Sequence, residues 1–299
     1  MSSSGENARN LALRIRKEFP DLAVCTTRLI RKGDDHAILV VNERFVFRFP
    51  RGPLYRMAFP DELSMTSVLT RTSPIAIPDY SFVARDKSFG GYRVIPGKEL
   101  TVARFNRLTS AERHAALKAL AGFLNALHGL GRAALPAYRA KEPWSGTDLR
   151  AHRDRYWNEQ RALLAPYAGK ETIEMLDRFY ETYSLLLCKH TAVIHGDLTD
   201  DHILLDPVRR RVSGVIDFAD TAIGDPAQDF SFLWSYGDWA PACAYANYDA
   251  RRDGGLLERS RRHYLRYATH RIVYCLQHSK AQAAASTLKR LRRQLKAVV

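Results

Sequence analysis

His195-Gly196-Asp197-Leu198-Thr199-Asp200-Asp201-His202, entered from Thr191-Ala192-Val193-Ile194, is the stretch that decides how this chain is read. An apolar, β-branched run that ends in a short polar segment is the pattern of a strand emptying into a loop. The segment carries histidines and carboxylates together. A second such run, Val215-Ile216, ends in Asp217-Phe218-Ala219-Asp220. Two strand ends that each deliver an aspartate suggest a site for a divalent cation and a phosphorylated cofactor. Asp206, Asp225 and Asp229 crowd the same region of a basic chain. Clustered carboxylates repel one another unless a cation sits among them.

Composition bounds the answer. A chain of 299 residues with 46% hydrophobic side chains can bury a substantial core, organised in two lobes. Its 26% charged and 10% aromatic residues are those of a globular protein. No apolar run approaches the roughly 18 residues of a membrane span. The start, Met1-Ser2-Ser3-Ser4-Gly5, lacks a secretion-signal pattern, so a cytoplasmic protein without membrane contact is expected. Cys25, Cys188, Cys243 and Cys275 form no CxxC pair and read as free buried thiols. The net charge of +14 raises a nucleic-acid reading. The densest basic residues, however, alternate with Leu288, Leu291 and Leu295 at helical spacing. They read as the solvated face of terminal helices, and nucleic acid is not expected as a partner.

Outward from the decisive stretch, the first third reads as mostly strand. His36–Val41 and Phe45–Phe49 form a hairpin around Asn42-Glu43-Arg44, and Pro50, Gly52 and Pro53 end it. Asp61 to Thr70 reads as a short helix, and Tyr80–Arg85 with Gly91–Ile95 as a second hairpin. Pro96-Gly97 marks the lobe boundary, giving lobes 1–97 and 98–299. Beyond it, Thr109-Ser110-Ala111-Glu112 is a capping box opening a helix that stops near Gly129. Amphipathic segments about Leu149–Leu164 and Glu171–Leu187 follow, then strands at 192–195, 203–205 and 212–217, then further helix.

His-Gly-Asp-Leu followed by an Ile-Asp-Phe aspartate resembles the aminoglycoside phosphotransferase family, small-molecule kinases of the protein-kinase-like fold. The matching motifs run from Gly33 to Asp229. The resemblance implies an α+β, two-lobed fold: an N-terminal antiparallel sheet lobe with one helix, and a larger, mainly helical C-terminal lobe. It implies transfer of the γ-phosphate of ATP or GTP to a hydroxyl of a small molecule, with Mg2+. Asp197 then matches the catalytic aspartate that orients the acceptor hydroxyl and takes its proton. Asp217 matches the magnesium aspartate. His202 stands where many relatives carry Asn, but Asp201-His202-Ile203-Leu204 matches the 2''-aminoglycoside branch. It is either a metal ligand or a histidine that hydrogen-bonds the loop. His195 is implied to brace the loop.

In the first lobe, Arg48 takes the position of the strand base that grips nucleotide phosphates, with Glu62 as its helix partner; the alternative is a cross-strand surface arginine. Gly33-Asp34-Asp35-His36 takes the place of a glycine-rich loop. In Gly91-Tyr92-Arg93-Val94-Ile95-Pro96-Gly97, the resemblance implies purine contacts from the Arg93 carbonyl and the Ile95 amide, with Tyr92 shaping the pocket. Asp200 is a substrate contact or a solvated loop charge. Asp238 is a further substrate candidate, as are Glu142, Asp148, Asp154 and Glu159, while Trp234 and Trp239 are acceptor contacts or core. Asp225 and Asp229 read as braces at a helix start, and His128 as a buried histidine. The acceptor implied first is an aminoglycoside-type antibiotic. Macrolides, peptide antibiotics, sugars and amino alcohols remain as alternatives, as does a non-catalytic nucleotide-binding protein. A monomer is expected.

Overall fold

The computed structural model describes residues 7–30, 36–131, 146–183, 190–296 and 298, with side chains from 155 onward in the segment that begins at 146. In chain order the elements are α1 (Ala8–Glu18), β1 (Thr27–Ile30), β2 (His36–Val41), β3 (Phe45–Pro50), α2 (Gly52–Leu69), β4 (Phe82–Val83), β5 (Gly90–Arg93), β6 (Lys98–Glu99), α3 (Val102–Asn106) and α4 (Ser110–His128). Then come α5 (Gly146–Ala168), α6 (Lys170–Tyr183), β7 (Ala192–Ile194), β8 (Ile203–Asp206), β9 (Arg211–Val215), β10 (Ala222–Gly224) and α7 (Ala227–Phe230). A 3-10 turn at Ser231–Tyr236, α8 (Ala240–Tyr245), α9 (Leu256–Gln277) and α10 (Ala281–Leu295) complete the chain.

Two compact units emerge. One comprises Met1–Arg139 with His195–Thr221, the other Ala140–Ile194 with Ala222–Val299. The boundary expected at Gly97 falls inside the first of these. That first unit holds an antiparallel five-stranded sheet in the order β1-β2-β3-β5-β4, with β3 at its centre. Period-two alternation sorts β3 into two faces. Phe45, Phe47 and Phe49 join Leu39 and Val41 in a core that also takes Leu11, Ala12 and Ile15 of α1. The intervening position 48 therefore looks the other way, although it is equally buried.

That other face is the one that α2 serves. Its buried residues Phe59, Glu62, Met65, Thr66 and Leu69 fall at three- and four-residue spacing, one stripe of a helix. The expected helix from Asp61 actually starts at Gly52. Pro53 ends no element: it sits in the helix's first turn, where a missing N–H costs nothing. The first unit also gains α1, which the sequence reading left unassigned; Asn7 caps it by accepting from the Asn10 amide at 2.8 Å.

The Thr109–Glu112 capping box forms, with Thr109 N–H donating to Glu112 at 2.7 Å and Glu112 N–H to Thr109 Oγ1 at 3.3 Å. A three-stranded sheet, β6-β8-β9, carries the decisive loops. The segment after α2 anchors on it: Ala76 N–H donates to the Ser213 carbonyl and Val215 N–H to the Ala76 carbonyl. In the second unit, α9 and α10 pack with α5 and α6 around Leu164, Leu176, Phe179, Leu265, Ile272 and Leu291. Among the described cysteines, all unpaired, Cys275 is buried but Cys25 is exposed. Cys25 thus departs from the expected buried thiol because it lies just ahead of edge strand β1. No helix is long and apolar enough to cross a membrane, among the described residues.

Gly91 on β5 opposes Phe47 on β3, and a Cβ there would lie 2.6 Å from the Phe47 ring. The ring is wedged among Phe19, Phe82 and Phe89 and has little room to yield. Gly91→Ala is expected to destabilise the protein by about 1–3 kcal/mol through overpacking, measured as a shift in the urea midpoint at unchanged m-value.

Candidate active site

Arg48 is 3% exposed on the central strand. A buried guanidinium cannot shed its proton and must be paired. Its Nη1 donates to Glu62 Oε1 at 2.7 Å, and its Nη2 donates to Asp217 Oδ1 at 2.6 Å. Tyr80 Oη donates to the same Glu62 oxygen at 2.7 Å, and His36 Nδ1 lies 3.3 Å from Arg48 Nη2. The arginine therefore joins a strand, a helix and the loop that follows β9. The surface-arginine alternative is excluded by its burial. Burial pushes the Glu62 carboxyl above its ordinary value, against the pull of Arg48 and Tyr80.

The two aspartate loops are tied to each other by histidines. His195 is fully buried; its Nε2 faces the Ile216 carbonyl at 3.1 Å and its Nδ1 faces the Asp197 amide at 3.4 Å. An amide N–H donates, so Nδ1 accepts and Nε2 carries the proton. His202 is held from its other nitrogen. Its Nδ1 lies 2.7 Å from the Asp197 carbonyl, so that nitrogen donates. Its Nε2 faces Asp217 Oδ2 at 3.6 Å, and Asp197 Oδ2 is 3.6 Å from Nδ1.

Backbone geometry sets these side chains at short range. Gly196 has φ of 84°, and a Cβ there would meet the Asp220 carbonyl at 2.2 Å, so only glycine serves. Asp217 is itself left-handed, with φ of 68°, a strained conformation for a residue other than glycine. Burial alone would raise the Asp217 carboxyl, but Arg48 and then His202 hold it well below the usual carboxylate range. It is therefore ionised at neutral pH.

The sequence model of the phosphotransferase enzyme family matches residues 26–295. The chain belongs to that family. One solved structure it is similar to is the GDP and kanamycin complex of APH(2")-IIia, with TM-score 0.79 and 20% identity, covering 97% of this chain and 99% of that one. A macrolide 2'-phosphotransferase type I gives 0.67 at 20% identity, covering 97% and 99%. Macrolide 2'-phosphotransferase MphH from Brachybacterium faecium gives 0.64 at 22% identity, covering 94% and 97%. At these identities the likeness establishes the kinase-like fold of this phosphotransferase.

Within the phosphotransferase, the first compact unit brings together Arg48, Glu62, Asp197, His202 and Asp217. Tyr92 is buried beside them, its ring 5.2 Å from that of Tyr80. Arg93 closes β5 with an exposed side chain, and Ile95 follows it, half-buried, with its Cγ2 at the Gly214 backbone. Asp200 is half-buried in the loop. Asp238 belongs to the other unit, where Gln294 Nε2 donates to it at 2.5 Å and Arg293 lies 3.9 Å away. Trp234 donates to Ser260 at 3.0 Å under the Arg261 guanidinium, whereas Trp239 is exposed. Asp225 pairs with Arg259 at 2.7 Å and accepts from the Ala227 amide, and Asp229 and His128 are buried. Gly33, Asp34, Asp35, Glu142 and the side chains of Asp148 and Asp154 lie outside the described residues.

Sequence reasoning gave His36 a site role only in the turn that stands for a glycine-rich loop, and it missed Tyr80 as a site residue. The available signal was a polar residue at each start of an apolar strand pattern, His36 before Ala37-Ile38-Leu39 and Tyr80 before Phe82-Val83. Burial, then the charge of Arg48, lowers the His36 pKa to about 3. An unfolded histidine takes its proton near pH 6.5. The folded state thus binds fewer protons between these values, and stability falls as pH drops through that window. The slope is at most ~1.4 kcal/mol per pH unit. Denaturation midpoints between pH 6 and 4 should decline less steeply in His36→Asn than in the unmodified protein.

Proposed function

We propose that this phosphotransferase moves the γ-phosphate of ATP or GTP to a hydroxyl of a small molecule, with an aminoglycoside-type antibiotic as the leading acceptor. The observation that carries the reading is the buried Glu62–Arg48–Asp217 series ending beside a loop that presents Asp197 and His202. Phosphoryl transfer asks a protein for positioning and charge neutralisation more than for covalent chemistry. Arg48 supplies a fixed cation for the phosphates. The Asp197 side chain, 41% exposed, is open to an acceptor. It takes the hydroxyl proton while the acceptor oxygen bonds to phosphorus and the bond to the nucleoside diphosphate breaks. The Arg93 carbonyl and Ile95 amide read the purine edge, with Tyr92 behind it.

Asp217 is the residue whose chemistry suits Mg2+: an ionised carboxylate with one oxygen on Arg48 and the other turned toward His202. His202 Nε2 would be the second donor, although imidazole is a weaker match for magnesium than oxygen is. When bound, the cation would neutralise phosphate charge. Asp200 and Asp238 would meet ammonium or hydroxyl groups of the acceptor. A macrolide acceptor is the second reading, favoured by the likeness to macrolide 2'-phosphotransferases. We expect a cytoplasmic monomer with no membrane or nucleic-acid partner.

The test is a panel of hydroxylated antibiotics and metabolites assayed for phosphate transfer from ATP and from GTP. Asp197→Ala should lower turnover by roughly 10²–10⁴-fold, with an unchanged circular dichroism spectrum and unchanged nucleotide affinity. Comparable turnover in the variant would remove Asp197 from the chemistry. His202→Asn should keep more activity than His202→Ala if the residue holds magnesium, and the two should be equally impaired if it only braces the loop.

A further inference from the structure

In the second compact unit, α9 carries basic side chains along one face: Arg259, Arg262, His263, Arg266 and His270. Their surroundings differ. Arg259 forks onto Asp225 at 2.7 Å and Asp253 at 2.8 Å. His263 lies 3.5 Å from Asp225 and 2.9 Å from the Tyr183 hydroxyl. Arg262 donates to Thr182 at 3.0 Å and stands 3.6 Å from Glu258.

Arg266 has no such partner. Arg266 is half-buried; among the described residues no carboxylate forms an ion pair with it, and its Nε is shielded from water without a hydrogen-bond acceptor. The Nε of Arg262, one turn earlier, is in the same condition. The groups closest in charge to Arg266 are phenols, those of Tyr183, Tyr267, Tyr156 and Tyr180. Its guanidinium lies over the Tyr267 ring at 4.6 Å from the centroid. Burial pushes the Tyr156 phenol up to about 12, and Tyr183 is raised as well. Tyr156, Tyr180 and Tyr183 are therefore neutral phenols at neutral pH. Burial, assisted by Arg266, lowers His270, which stays neutral.

Buried charges are ordinarily matched by an opposite charge. Ring faces and hydroxyls orient a guanidinium but do not neutralise it. The planar fork of arginine is suited to bidentate oxyanions, and phenol hydroxyls add donors around them. We propose that Arg266 and Arg262, with Tyr156, Tyr183 and Tyr267, form an oxyanion site in the second unit that takes the carboxylate or phosphate group of a small molecule. The site stands on this unit alone and does not depend on the phosphotransfer reading.

The oxyanion has two sources, the acid group of a larger small molecule or a free anion bound as an effector. Isothermal titration of the full chain with inorganic phosphate and with malonate, at ionic strength held constant with sodium chloride, tests the site. Saturable binding is expected, weakened at least ten-fold in Arg266→Met and partly recovered in Arg266→Lys, with nucleotide affinity unchanged in both. A panel of hydroxy acids then separates the sources. A hydroxy acid that binds more tightly than malonate, with the gain lost in Arg266→Met, marks the acid group of a larger molecule, and phosphate binding with no such gain marks a free anion. No saturable binding by the unmodified protein, or equal binding in Arg266→Met, overturns the site. Should Arg266→Met fail to fold, Arg266→Lys and Arg262→Gln carry the comparison, and undiminished affinity in both overturns it. Loss of nucleotide binding, by contrast, counts only against the phosphotransfer reading.

Discussion

The arrangement depends on one buried cation. Arg48 sits at the centre of a five-stranded sheet, where water cannot neutralise it, and it is matched by two carboxylates from distant parts of the chain. Glu62 arrives on α2 and Asp217 on the loop after β9, separated from Arg48 by 14 and 169 residues. Leaving either out would strand a charge in a low-dielectric interior, which is far more costly than an exposed broken pair. The position of α2 over the sheet and the position of the Asp217 loop are thereby linked through one side chain. Tyr80 and His36 complete the shell, each contacting a member of the pair.

A second constraint acts across the two aspartate loops. His195 and His202 lie with ring centroids 6.0 Å apart, yet the Nδ1 of the first accepts from a backbone amide and that of the second donates to a backbone carbonyl. His195 spends both nitrogens on backbone groups of the two loops, so it fixes their separation. His202 spends one nitrogen on the Asp197 carbonyl and leaves the other toward Asp217. These bonds, with the Arg48 contact, hold Asp217 in a left-handed conformation that it would not adopt alone. Strain kept at such a place suits a group whose orientation matters more than its own stability.

Much of the local structure was legible in the chain. The β2–β3 hairpin, the Thr109 capping box and the strands on either side of the His195 loop follow from periodicity and capping chemistry acting over a few residues. The start of α2 was misread because Pro53 was taken as a breaker, whereas proline in a first helical turn is compatible with helix. The first helix was overlooked because only Leu11, Ala12 and Ile15 are buried in its eleven residues, a weak stripe among arginines. The site was readable as a set of residue types in two motifs, and Arg48 and Glu62 as a pair. Tyr80 carried no motif, and the place of His36 beside Arg48 became visible only through its contact.

What the sequence determined by itself was the alternation that buries Phe45, Phe47 and Phe49 on one sheet face and the family to which the chain belongs. Each rests on neighbours within a few positions or on a matched motif. Only the tertiary structure decided which charges are paired. Arg48, Arg259 and Arg266 are alike in one dimension; in space the first two are each held by two carboxylates and the third faces phenol rings. Coulomb energy depends on distance and on the exclusion of water, and neither is a property of sequence separation.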